Sequence, residues 1–225
     1  MRLVVATYNI HRCVGWDGRY DPDRIRDVIR ELDADIVALQ EVDSPGHHGL
    51  ELAQWFGEET KLRVVAGPTL MERKGHHGNA VLLRLEHQDV RLVDLSLPGR
   101  EPRGAIDMDV SCGGDTVQLI ATHLGLRPSE RRIQVERLLK RVVGPRCVLM
   151  GDLNEWWLWG HPLRWIKTMF GHAPALPTFP AFRPVLPLDR IWSRPAFVLR
   201  RISVHRTSRS TYASDHLPLK AVIEW

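Results

Sequence analysis

The heptad Val148-Leu149-Met150-Gly151-Asp152-Leu153-Asn154 runs three apolar residues into a glycine, then an acid and, two places on, an amide. An apolar run of this kind predicts a strand buried on both faces. Glycine lets the backbone turn sharply or approach a ligand closely. Side chains alternate along a strand, so Asp152 and Asn154 are expected to point the same way. An acceptor and a donor would then stand side by side at the exit of a buried strand, where ligands of open α/β sheets collect. The same residue types also dominate turns, so the heptad taken alone favours a turn reading.

Upstream of the heptad, Ser129 is a candidate cap for a helix running to about Val143, with Val135, Leu138, Leu139 and Val142 as its apolar stripe. Before that helix, Val90–Leu95, Ala105–Val110 and Thr116–Ala121 read as three strands joined by Gly/Pro turns, without helices between them. Such a succession predicts antiparallel pairing in part of the sheet. At the start of the chain, Leu3–Tyr8 and Asp35–Leu39 read as strands. The helix between them opens on Asp21-Pro22 and repeats Ile25, Val28, Ile29 and Leu32 at helical spacing. Gly49–Glu59 is a candidate helix, Leu62–Ala66 and Asn79–Arg84 are candidate strands, and Met71–Gly78 reads as a charged, His-containing loop. Downstream, a helix near Pro162–Phe170 stops at Gly171. Five prolines make 174–187 an irregular loop, and strands follow at Leu188–Trp192, Phe197–His205 and Leu219–Ile223.

A chain of 225 residues, 44% hydrophobic and 26% charged, is expected to form one globular domain spanning 1–225. No apolar run reaches the roughly 20 residues that span a bilayer, and Met1–Tyr8 lacks a signal-peptide core. Cys13, Cys112 and Cys147 are too few and too far apart for a disulfide framework or a zinc knuckle, which fits a reducing compartment and a cytoplasmic location. A net charge of +4 and a pI of about 9.2 suit an anionic substrate without naming one.

Asn9, Glu41, His123, Asp152, Asn154 and the pair Asp215-His216 each fall at or just after the expected carboxyl end of a strand, and Asp189 lies within one. Asn9, Glu41 and Asp215 offer the oxygen ligands that Mg²⁺ prefers. Asp189 could orient the His216 imidazole and hold its charge. Asp152 could take a proton from an attacking water while Asn154 donates to the electrophile.

Seven segments together resemble the endonuclease/exonuclease/phosphatase superfamily of DNase I-like metal-dependent phosphodiesterases. They are Thr7–His11, Ile36–Val42, Gly78–Leu82, Thr122–Leu124, Gly151–Asn154, Leu188–Ile191 and Ser214–Leu219. They occur in the family's order, and with Thr178-Phe179-Pro180 they are most similar to a small bacterial branch. The resemblance implies a four-layer α/β sandwich, two packed mixed sheets flanked by helices. It implies Mg²⁺, with Mn²⁺ as the alternative, held mainly by Glu41 with Asn9 and Asp215 in or near its shell. It further implies that Asp152 positions or deprotonates the attacking water, that Asn154 and His123 bind phosphate oxygens, and that His216 contacts the scissile phosphate or acts as general acid/base, oriented by Asp189. Asn79 would be a phosphate or structural contact. His11 departs from nuclease branches, which often carry an acid or amide there, and this leans away from DNA repair. The expected substrate is a phosphodiester, or a phosphomonoester, of phospholipid type or a nucleic acid, with peripheral membrane contact open and no obligate protein partner indicated. A catalytically idle interaction module on the same fold is the alternative.

Adjacent histidines at 47–48 and 76–77 invite a zinc reading, but no third ligand has suitable spacing. Trp156, Trp157 and Trp159 either pack under the following helix or form an apolar rim that stacks on a base or enters a lipid interface. Arg200-Arg201 and Arg206–Arg209 read as a solvated face.

Overall fold

A computed structural model describes residues 1–42, 49–72 and 75–225, with the backbone alone at 49–50, 68–72 and 75–77. Eleven strands among these residues form two mixed sheets. The first sheet runs β10 (Leu199–Val204), β11 (Leu219–Glu224), β1 (Arg2–Asn9), β2 (Ile36–Val42), β4 (Gly75–Leu83) and β3 (Arg63–Glu72). The second runs β5 (His87–Asp94), β6 (Gly104–Cys112), β7 (Asp115–His123), β8 (Cys147–Asp152) and β9 (Asp189–Arg194). Each sheet has one parallel pair, β1 with β2 and β7 with β8, and the other neighbours are antiparallel.

The sheets pack face to face through Val5, Ala38, Val81, Met108, Leu119 and Met150, all buried in one inter-sheet core. Two further apolar layers lie outside. Ile25, Val28, Ile29 and Leu32 of α1 (Pro22–Leu32), with Phe56 of α2 (Gly49–Thr60), cover the first sheet. Val135 and Leu138 of α3 (Pro128–Leu139), with Leu163 and Ile166 of α4 (His161–Phe170), cover the second. The expected four-layer sandwich is the observed one. Strand β8 is buried along its whole length, as its unbroken apolar run requires.

Three local readings are corrected. Within the charged stretch 71–78, residues 71–72 and 75–78 are not loop: β3 continues to Glu72 and β4 starts at Gly75, because the β3–β4 ladder continues past a register shift between Pro68 and Leu70. Residues 73–74 and the histidines at 47–48 lie outside the described residues, as do the side chains of His76 and His77. Ser129 does not cap α3. Pro128 opens the helix with Arg127 at the cap position, and the helix stops at Leu139 rather than near Val143. A short helix, α5 (Ser208–Ala213), was missed; Thr207 and Ser210 close a capping box at its start.

Asp107 on the outer face of β6 is fully buried and bonds Arg91 (2.9 and 3.1 Å), Arg141 (3.0 and 3.1 Å) and Gln118 (2.8 Å). Burial alone would raise its pKa, but these donors outweigh it and hold the carboxyl below its ordinary range. A depressed folded-state pKa stabilises the fold above the unfolded value of about 3.9, and that contribution is lost as pH falls through the folded value. Asp107→Asn is expected to lower unfolding free energy at pH 7 by about 1.5–3 kcal/mol, the range for bonds to charged groups. Urea titrations at pH 7 and pH 3 check this. The gap between variant and wild type shrinks at pH 3; a gap that stays constant refutes the account.

Candidate active site between the two sheets

The site is assembled where the carboxyl ends of the parallel pairs, β1 with β2 and β7 with β8, face each other across the sandwich. Asn9 closes β1 and is buried. Its Nδ2 donates to Glu41 Oε1 at 3.1 Å and to Asp152 Oδ2 at 3.0 Å, so one amide ties a carboxylate of each sheet. Its Oδ1 accepts the His11 N–H at 3.0 Å. Glu41 adopts φ 55°, a left-handed conformation unusual away from glycine. Such strain persists only where surrounding structure enforces it, and it clusters at functional positions.

Gly151 is the residue that brings β8 close enough. Its φ is 149°, and a Cβ there would stand 1.9 Å from the Thr122 carbonyl oxygen of β7. Asp152 follows, buried, and the chain then leaves the strand. Asn154 has φ 50°, and its N–H donates to Asp152 Oδ1 at 2.8 Å. The acid and amide do sit together, but through this tight local turn rather than through strand alternation.

His123 ends β7 and is buried. Arg103 Nη1 stands 3.1 Å from its Nδ1. A guanidinium can only donate, so Nδ1 accepts and Nε2 carries the proton. Nε2 faces Asp152 Oδ2 at 3.6 Å and Glu41 Oε1 at 4.0 Å. Asn154 Nδ2, which also donates to the Leu124 carbonyl (2.9 Å), lies 3.1 Å from that same Nε2. A protonated Nε2 cannot accept from that amide, so the 3.1 Å approach sets two N–H donors side by side next to the carboxylates, where an anionic oxygen could accept from both.

On the opposite side, His216 Nδ1 is 2.8 Å from Asp189 Oδ2, and its Nε2 is 3.8 Å from Asp152 Oδ2. Thr178 donates to the same Asp189 oxygen at 2.6 Å, and the Phe179 ring packs against the imidazole with centroids 4.9 Å apart. Burial alone would lower the His216 pKa; Asp189 chiefly, with Asp152 and Asp215, outweighs it and pushes the group up to about 10. Asp152 is pushed up to about 6, first by burial and then by Asp189, against the pull of His216. Asp189 lies at the start of β9 rather than inside it, and β9 runs antiparallel to β8, so its first residue meets the exit of β8.

Asp152, Asp189 and His216 offer ligand atoms within 4.8 Å of one another, a buried acidic and imidazole cluster of the kind that can hold a cation. The imidazole, however, is fixed between the two carboxylates. Glu41, which Asn9 Nδ2 ties to Asp152, adds a further hard oxygen of the kind a divalent cation takes.

Asp215 is half-buried; its carboxylate accepts from the Ser214 hydroxyl at 3.4 Å and lies 3.8 Å from the His11 ring. Asn79 donates to the Gly104 carbonyl at 3.0 Å, a structural tie between the sheets. Arg103 is the site residue that sequence reasoning missed. It is buried at the entry to β6, and its Glu101-x-Arg103 surroundings carry no motif that marks it.

The sequence model of the Endonuclease/Exonuclease/phosphatase family matches residues 6–216. The chain is 34% identical over 244 residues to the uncharacterised protein YbhP of Escherichia coli K12, covering 97% of this chain and 95% of that one. Among solved structures, it is similar to an endonuclease/exonuclease/phosphatase from Beutenbergia cavernae, with TM-score 0.80, 26% identity, and 99% of this chain and 71% of that one covered. The human Nocturnin catalytic domain with bound sulfate shares the fold at TM-score 0.75 and 18% identity, with 99% and 94% covered.

Proposed function

Because the chain belongs to the endonuclease/exonuclease/phosphatase family, we propose that it is a Mg²⁺-dependent phosphoesterase that hydrolyses a phosphodiester by in-line attack of water. The observation that carries this reading is the convergence of Glu41, Asn9 and Asp152 with the two donors of His123 and Asn154, drawn from both sheets.

Glu41 would be the principal holder of the cation, with Asn9 beside it and Asp215 near the shell. Mn²⁺ would serve in its place. A divalent cation supplies charge neutralisation at the phosphate. The remaining work falls to the chain. His123 Nε2–H and Asn154 Nδ2–H bind non-bridging phosphate oxygens, and Arg103 keeps His123 in the tautomer that donates. Asp152 orients the incoming water and accepts its proton. His216, held charged by Asp189, faces the phosphate from the opposite side and stabilises the charge that builds there.

Hydrolysis of bis-(p-nitrophenyl) phosphate tests the reading. Turnover is expected with Mg²⁺ or Mn²⁺, to fall to background with EDTA, and to return on adding back metal. No hydrolysis with either ion would instead favour an idle interaction module on this fold.

A further inference from the structure

We propose that the mouth of this site is built to sit on an anionic lipid bilayer, with an apolar loop after β8 as its main insertion element. Four consecutive apolar residues, Trp156, Trp157, Leu158 and Trp159, are 53%, 56%, 45% and 70% exposed. They begin two residues after Asn154. The alternative of packing beneath α4 fails, because the loop is pinned with these side chains turned out. Glu155 is buried, bonded to Arg131 at 3.1 and 3.2 Å, and accepts the Trp157 N–H at 3.1 Å. The same Arg131 donates to the Leu126 carbonyl at 2.6 Å, so the residue that pins the loop also anchors the backbone carrying Leu126, which is 63% exposed.

A second apolar patch stands at the same end of the sandwich. Trp16 follows β1, Tyr212 lies just before Asp215, and Phe182 follows Phe179; their rings touch at centroid distances of 5.5 and 6.2 Å. Exposed apolar groups on this scale mark an interaction surface. Tryptophan favours the headgroup level of a bilayer, and exposed Leu or Val side chains gain from acyl contact.

A single-stranded nucleic acid would use the aromatic rings but gain nothing from Leu126, Leu158 or Val185, which stacking does not engage. Charge points the same way. Residues 156–214 hold nine Lys and Arg and a single acid, Asp189, which is buried. Of these, Lys167 Nζ donates to the Leu158 carbonyl at 3.5 Å and Arg206 Nη2 to the Phe182 carbonyl at 3.3 Å, one beside each apolar patch. A basic rim around an apolar tip is complementary to anionic headgroups. That the phosphoester cleaved belongs to a lipid headgroup rests on the phosphoesterase reading; the seat itself does not.

Co-sedimentation with vesicles tests the seat without reference to chemistry. The protein is expected to bind phosphatidylglycerol/phosphatidylethanolamine vesicles at least tenfold more tightly than phosphatidylcholine vesicles, with brominated lipids quenching its Trp fluorescence. Trp156→Ala/Trp157→Ala/Trp159→Ala is expected to lose tenfold or more of that binding while keeping its circular dichroism. Asp152→Asn is expected to keep the binding in full, so a failure of catalysis and a failure of docking read separately. The proposal is overturned if the wild type does not sediment with anionic vesicles or if the triple variant sediments equally. It is also overturned if the apolar loop instead proves to bind oligothymidylate or to drive self-association, with no vesicle binding in either case.

Discussion

Asp152→Asn is expected to lower kcat on a phosphodiester by on the order of a hundredfold or more, with little change in KM, and His216→Ala is expected to do the same. That is the scale on which positioned acid/base groups contribute. The asparagine keeps the volume of the aspartate and can still accept the backbone N–H of Asn154. It cannot take a proton, and its own amide would oppose the Asn9 Nδ2 that now bonds Asp152 Oδ2 at 3.0 Å. Because Asp152 is a buried carboxylate close to Asp189, its neutral replacement is expected to unfold at no lower urea concentration than the wild type. Steady-state kinetics on bis-(p-nitrophenyl) phosphate alongside urea titration separate the two effects. If both variants kept near-native turnover, the chemistry would have to lie elsewhere.

Gly151→Ala is expected to cost at least ~3 kcal/mol of stability and to abolish turnover, from a single added methyl group. Two independent penalties act there. The backbone sits at φ 149°, and the new Cβ would stand 1.9 Å from the Thr122 carbonyl oxygen. Thr122 and Gly151 are paired residues of β7 and β8, so relief requires the strands to separate. His123 and Asp152 are the next residues on those strands and would separate with them. Gly18→Ala is the control: its φ is 74° but nothing lies within 4 Å of the added Cβ, so a loss of about 1 kcal/mol is expected. Equal, small losses at both positions would show that close approach at Gly151 is not what holds the strand end in place.

Much of this architecture was legible because burial leaves a periodic trace. The unbroken apolar run of β8, the helical stripe of α1 and the polar residues just past strand ends all follow from one-dimensional pattern. What was not legible depends on partners far away in the chain. Asn79 carries a motif, yet its amide is spent on Gly104 of the other sheet. Arg103 fixes the His123 tautomer, but nothing adjacent to it in sequence marks the contact. Glu155 is buried against Arg131, 24 residues away, and nothing adjacent to it in sequence marks that contact. The polar composition of 71–78 predicts a loop between two strands, while the pairing that carries β3 to Glu72 and starts β4 at Gly75 is tertiary.

The amide of Asn9 reaches Asp152 across 143 positions of chain, and His216 reaches Asp189 from the opposite sheet. Neither half of the sandwich holds a complete set of groups, so competence arises only once the halves have docked. Pairings this distant form late, after the slow search for long-range closure. In a refolding time course, recovery of strand and helix signal should therefore precede recovery of cation affinity, which makes metal uptake a direct clock for the final docking event.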